Sequence, residues 1–200
     1  FITTVLSYPS NNQDTTRLAQ KVADQEGLNE FQFIGSGEST LASPKHRLSG
    51  HSLPGQRREL RLRVIDELFS KCRPASDTSI KLGEGGSMPK TVKAGRQAIF
   101  VIGPPASGKS RIANAIADKL GAYVLDSDHA KQKLPEFNEG SRAALVHDEA
   151  DASVFGGPEL GKNIVPLIER VVSARANIVL PKVGRTIDGI LELATQLNAK

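Results

Sequence analysis

The chain has no tryptophan, aromatic residues make up only 4% of it, and it carries a single cysteine. Each shortage removes a class of function. Without aromatic platforms on which bases stack, single-stranded nucleic acid is not an expected partner. A lone cysteine, Cys72, excludes an intrachain disulfide framework and fits a reducing compartment. Its neighbours Lys71 and Arg73 would favour the thiolate, yet a solitary cysteine at a helix end is far more often incidental than reactive. No apolar run approaches the roughly 20 residues of a membrane span, and no secretory signal is visible, so a membrane partner is not expected. The first residue is Phe1 rather than Met, and the chain is expected to be a fragment or a processed product.

What remains is an ordinary globular composition: 200 residues, 38% hydrophobic and 24% charged, with a net charge of +4. The cationic excess falls mostly in the first half. Arg57, Arg58, Arg61 and Arg63 are the densest basic group, and a solvated helix face is the expectation there rather than a nucleic-acid patch.

Along the chain, Thr15–Gln25 reads as a short helix ended by Gly27, and Gly35–Ser49 as loop. Pro54 and the spacing of Leu60, Val64, Ile65 and Leu68 predict a helix over about 55–72. The second half alternates. Gln97–Ile102, Ala122–Leu125 and Ala176–Leu180 are apolar runs of strand length. Between and after them lie helical patterns: Ile112 to Leu120 with Gly121 at its C-cap, 160–174, and Ile187–Leu197. The fold class expected is α/β, a parallel sheet with flanking helices, preceded by a helical or irregular N-terminal extension. Three strands are few, so the rest of the sheet is expected beyond Lys200. We divide the chain into an accessory, weakly ordered segment (1–52), a helix packing on the core (53–73), a linker or loop (74–95) and a partial core (96–200).

Gly103-Pro104-Pro105-Ala106-Ser107-Gly108-Lys109-Ser110 matches G-x-x-x-x-G-K-[ST] at every specified position, between a strand and a helix. In a chain this long such a match arises by chance at roughly the one-per-cent level, before the strand and helix are considered. The chemistry needs these types. Gly103 lets the chain turn sharply, Gly108 permits close backbone approach, and the N–H groups through Arg111 converge on a phosphate at the helix N-terminus. Lys109 would neutralise the terminal phosphates of ATP and Ser110 would ligate Mg²⁺.

The second strand ends in Leu125-Asp126-Ser127-Asp128-His129, and ligands of such sheets lie at the carboxyl ends of strands. Asp128 is the candidate base for an attacking hydroxyl, with Asp126 the weaker candidate. Asp128 also suits the N-cap of a helix starting at His129, and the two roles are compatible. His129 is expected as an exposed neighbour. His147 lacks a partner at metal-ligand spacing, and zinc is not expected.

The runs GPPASGKS, LDSDHAKQKLPEF and NIVLPKVGRTID together resemble the zeta-toxin family of P-loop kinases over about residues 97–190, with a weaker echo at Gln56-Arg-Arg-Glu-Leu-Arg61. The resemblance implies a P-loop kinase-like sheet and phosphorylation of a UDP-activated amino sugar, typically UDP-N-acetylglucosamine, with ATP and Mg²⁺. It implies restraint by a helical antitoxin; the helical N-terminal extension raises the alternative of an in-chain inhibitory segment within residues 1–72. It also implies a cytoplasmic site of action, in a bacterium or in a cell that receives the protein. Carried over by position, Lys109, Ser110 and Asp128 match the phosphate, Mg²⁺ and base residues. Lys131 and Pro135 match positions after that acid, and Gly184, Arg185, Thr186 and Asp188 match the stretch after the third strand. Arg185 would assist transfer, and Asp126, Lys131 and Thr186 would meet the acceptor. An acid common at the end of the third strand is replaced by Pro181-Lys182-Val183, and a frequent histidine by Leu134. That departure leaves open a different acceptor (a dinucleotide, an antibiotic or a polynucleotide end), or a nucleotide-binding module without turnover.

Overall fold

Strand alternation organises the molecule. In the computed structural model, which describes residues 39–104, 107–138 and 143–182, three parallel strands run β1 (Ala98–Ile102), β2 (Ala122–Val124) and β3 (Asn177–Lys182). They lie in the order β1-β3-β2, with Phe100 opposite Leu180 and Tyr123 opposite Ile178. Because successive side chains point to opposite faces, the sheet feeds two cores. Ile99, Val101, Ala122, Val124 and Val179 pack with helix α2 (Lys109–Leu120) through Ala113 and Ala117. Phe100, Tyr123, Leu125, Ile178 and Leu180 face a larger cluster. It is built from α1 (Pro54–Ser70), α3 (Ser127–Lys131), α4 (His147–Phe155) and α5 (Leu167–Ser173). This is an α/β fold, a parallel sheet covered by helices on both faces.

Helix α1 starts at Pro54, where a missing N–H goes unused, and buries Leu60, Val64, Ile65 and Leu68 at helical spacing. Each such side chain contributes about 1.5–3 kcal/mol when fully buried, which makes α1 part of the core. The arginine face departs from expectation. Arg57 and Arg61 are buried, while Arg58 stays exposed. The cause lies in two distant carboxylates. Arg57 donates through Nη1 to Glu136 at 2.8 Å and through Nε to Glu149 at 2.8 Å, and Arg61 Nε reaches Glu149 at 2.6 Å. Burial would raise the Glu149 carboxyl, but the two guanidinium groups outweigh it and hold it below its ordinary value.

The helix expected over 160–174 is confined to Leu167–Ser173. Pro166 keeps Val165 out of the helical region, and Gly161 and Asn163 adopt positive φ, so the preceding residues turn instead. Gly121 does end α2 in the left-handed conformation, its N–H bonded to Ala117. The segment 74–95 holds only short turns and bridges, yet it buries Ile80 and Ser87 and docks beside β2 through Val124 N–H to Ser87 O. The helices expected at Thr15–Gln25 and Ile187–Leu197 fall outside the described residues.

A second buried pair fixes that segment. Lys133 Nζ donates to Glu67 Oε2 at 2.8 Å and to the carbonyls of Lys81 and Glu84 at 2.8 and 3.0 Å. Burial opposes ionisation of Glu67. The bonds from Lys133, the Gly83 N–H and Arg63 prevail and lower its pKa from 4.5 to about 2. Burial pushes the Lys133 ammonium down too, but its three oxygen acceptors argue that the pair is ionised at neutral pH. A carboxylate depressed in the folded state gives stability that is full above its unfolded pKa and is lost as pH falls through the folded one. That contribution should therefore disappear between about pH 5 and 2. Acid titrations of stability should show this loss in the wild type and a flatter profile in Glu67→Gln. Parallel profiles would exclude it.

Candidate functional site

The loop after β1 is shaped by two glycines for different reasons. Gly103 continues the ladder, its N–H reaching Lys182 O at 3.3 Å. A Cβ there would stand 3.0 Å from Ser107 Oγ and 3.3 Å from Lys109 Cγ, so any larger residue would press on the loop. Gly108 has open space around it but sits at φ 80°, ψ 15° as the N-cap of α2, a conformation that favours glycine. No side chain caps α2, so its first N–H groups are available to an anion at the positive end of the helix. Ser107 N–H meets Pro104 O at 3.3 Å, and Lys109 Nζ donates to the same carbonyl. Ser110 and Arg111 are exposed on the first turn of α2. Pro105, Ala106, Arg185 and Thr186 lie outside the described residues.

The acidic edge lies at the carboxyl end of the same sheet. Leu125 N–H reaches Val179 O at 2.9 Å, and the chain then leaves β2 for α3. The helix starts earlier than the sequence suggests. Its cap is Asp126, which accepts from Asp128 N–H at 3.0 Å, so Asp128 lies within the first turn and is not the cap. Asp128 is left with its side chain 68% exposed and paired to Lys131 Nζ at 2.9 Å. Burial raises the Asp126 carboxyl above its ordinary value, reinforced by the charges of Asp128 and Asp77 and opposed by His129. His129 is buried, not exposed: its Nδ1 lies 3.0 Å from Ser87 Oγ and its Nε2 3.7 Å from Asp77 Oδ1. The reason is the docked 74–95 segment, which covers it.

Helix α4 supplies residues that sequence reasoning passed over. Asp151 accepts from Ser127 Oγ at 2.7 Å, and Phe155 lies under Lys182, whose Nζ is 3.5 Å from the ring centroid. Burial pushes the Lys182 ammonium down, and the charges of Asp151 and Asp126 partly restore it. His147 is lowered by burial and by Lys131. The signal available was the i, i+4 spacing of His147 and Asp151 on one helix face. Lys182 was visible only as the absence of an acid. Beside this array a cleft of about 440 Å³ is lined by His147, Asp151 and Gly157, among others.

Among the described residues no group of three or more His, Cys, Asp or Glu is arranged to hold a metal, and no helix is long and apolar enough to cross a membrane. The Ser110 hydroxyl at the head of α2 is the oxygen a phosphate-binding loop offers to Mg²⁺, so its chemistry and exposure fit that ion. A glycine-shaped loop between a parallel strand and an uncapped helix, with carboxylates on the same sheet edge, defines a P-loop fold of kinase type. The family model for zeta toxin matches residues 88–200, and the chain belongs to the zeta-toxin family, with a P-loop kinase-like fold. No curated protein and no solved structure matched the chain. Helix α1 and its buried arginines lie outside the matched residues.

Proposed function

We propose that the chain transfers the terminal phosphate of ATP to a hydroxyl of a small nucleotide-linked acceptor such as UDP-N-acetylglucosamine, and acts as a toxin by that transfer. The observation supporting it is one sheet edge that carries both a phosphate cradle and an exposed carboxylate, Asp128, steadied by Lys131 at 2.9 Å. The N–H groups at the head of α2 bind the phosphates, and Lys109 exchanges its bond to Pro104 for a charged acceptor, which is stronger. ATP with Mg²⁺, when bound, supplies the phosphoryl group and offsets its charge, with Ser110 as the ligand from this chain. Asp128 accepts the proton of the attacking hydroxyl, and Asp126 fixes the turn that presents it. Lys131 orients both the carboxylate and the acceptor.

Incubating the purified protein with ATP, Mg²⁺ and UDP-N-acetylglucosamine should yield a phosphorylated sugar nucleotide by mass spectrometry. Bound ATP with no such product would sink this acceptor. A second acceptor, such as a dinucleotide, an antibiotic or a polynucleotide end, is favoured by one observation. Lys182 places an ammonium at the acceptor edge, where the family commonly has a carboxylate. An anionic group on the acceptor would suit it better than a neutral sugar ring. Product from such an acceptor, and none from the amino sugar, would establish this reading.

A further inference from the structure

A strap of chain at 39–48 is fastened to the side of the sheet that carries α3 and α4. Ser39 and Thr40 are buried, and Thr40 N–H donates to Leu145 O at 3.0 Å, two residues before α4. The strap then turns back on itself. Ser43 N–H meets Ser39 O at 2.9 Å and Ala42 N–H meets Ser39 Oγ at 3.2 Å, which puts Leu41 at the bend. Arg47 fixes that bend through Nε to Thr40 O at 2.7 Å and Nη2 to Leu41 O at 2.9 Å. Arg57 and Arg61 take the carboxylates of Glu136 and Glu149, so the third guanidinium turns to backbone carbonyls. Arg61 also braces the turn at 156–160, with Nη1 donating to Leu160 O at 2.8 Å and to Glu159 O at 3.3 Å. Leu48 N–H closes the strap on Glu136 Oε1 at 2.9 Å.

The cleft of about 440 Å³ is lined by Leu41 from this strap, by His147 and Asp151 from α4, and by Gly157 and Pro158 from the braced turn. Its size falls within the range of small-molecule sites. It adjoins the proposed base. Asp151 is bonded to Ser127, the residue before Asp128. Lys131, the partner of Asp128, is close enough to His147 for its charge to reinforce burial in lowering that imidazole. We infer that the strap completes the acceptor site, and that the cleft takes an uncharged, hydroxylated ring of the acceptor, with Leu41 as a specificity-determining residue. Hydroxyls of such a ring donate to Asp151 and exchange hydrogen bonds with His147. Leu41 and Pro158 cover its C–H face, which removes apolar surface from water. No lysine or arginine is among the described residues that line the cleft, so a phosphate of the acceptor belongs outside it, with Lys131 or Lys182. The inference rests on the phosphotransfer reading for what is meant by an acceptor. It goes beyond the family, because the strap and α1 lie outside the matched residues.

Calorimetric titration of the full chain with UDP-N-acetylglucosamine and with UDP tests the cleft, because only the first carries the ring. The sugar nucleotide should bind at least about tenfold more tightly. Leu41→Trp fills the cleft from the strap and should remove that advantage, while ATP affinity stays within about twofold. Gly157→Leu fills it from the opposite turn and should do the same. A Cβ added at Gly157 meets only Ala152 Cβ at 3.7 Å, and its φ of 167° is extended backbone, so the fold should hold. Thermal melts of both variants check that it does. An advantage that survives both substitutions in folded protein would overturn the inference. Equal binding of the two nucleotides by the wild type, or no binding of either up to about 10 mM, would do so as well. Asp148 and Asp151 also suit an amine, so UDP-glucosamine binding about tenfold more tightly than its acetylated form would overturn an uncharged ring. Phosphate transfer from ATP is scored separately. Ring binding that both variants weaken, without any transfer, would keep the cleft and sink the kinase reading. Transfer to the sugar nucleotide with a KM that neither variant moves would do the reverse.

Discussion

Asp128→Asn should lower kcat by about 10²- to 10⁴-fold, the usual contribution of a positioned general base, while leaving ATP affinity within about twofold. The substitution removes the proton acceptor and keeps the shape. Asp128 is largely exposed, and its one ion pair is a surface contact with Lys131, worth at most about 1 kcal/mol. The fold should therefore survive, since the cap of α3 is Asp126 and remains in place. Initial rates, an ATP titration and a melting curve on the same preparation make the test. An unchanged kcat would remove Asp128 from the chemistry and turn attention to Asp126, whose carboxyl burial has raised towards proton acceptance. Asp126→Asn would then be informative, because asparagine caps a helix as well as aspartate does.

Glu149→Ala should destabilise the folded chain by about 3–5 kcal/mol, the usual consequence of removing one partner from a buried ion pair. At this chain length that lowers the melting temperature by about 6–20 °C. Glu149 is fully buried and accepts from Arg57 and Arg61 together, so its loss strands two guanidinium groups away from water. Arg57 would keep Glu136, and Arg61 the carbonyl of Leu160 at 2.8 Å, which argues for the lower part of the range. Glu59→Ala is the control: an exposed position of the same helix, expected to change stability by less than about 0.5 kcal/mol. A loss for Glu149→Ala no larger than for this control would mean that apolar packing alone docks α1.

The phosphate loop could be read from the sequence because its chemistry fixes residue types at consecutive positions, and the strand and helix around it obey local periodicities. The same holds for the cap at Gly121 and for α1 as a helix. The environment of α1 could not be read. Arg57 and Arg61 look like surface residues until Glu136 and Glu149 arrive from positions 79 to 92 residues away, a separation no local window spans. That pairing joins two runs of the family resemblance, Gln56–Arg61 and the stretch ending at Phe137, which the sequence left as separate echoes. His129 was misread for the same reason, since the segment burying it looked like a linker. The extended helix before Leu167 was a different failure: apolar spacing was present, but Pro166 forbids the turn before it. At the sheet edge the sequence showed that Lys182 replaced an acid. Its seat on Phe155 and its charge coupling to Asp151 required the fold.

The strand order β1-β3-β2 has a consequence for the birth of the molecule. Among the described residues β1 and β2 pair with β3 and not with each other, although α2 joins them directly in sequence. During synthesis from the N-terminus, the segment bearing Gly103 to Ser110 is complete long before its hydrogen-bonding neighbour exists. The bond from Gly103 N–H to Lys182 O, which sets the base of the loop, waits for the last residue of β3. Such non-local pairing is slow and cooperative. The nascent chain therefore cannot make this bond until Lys182 has been added.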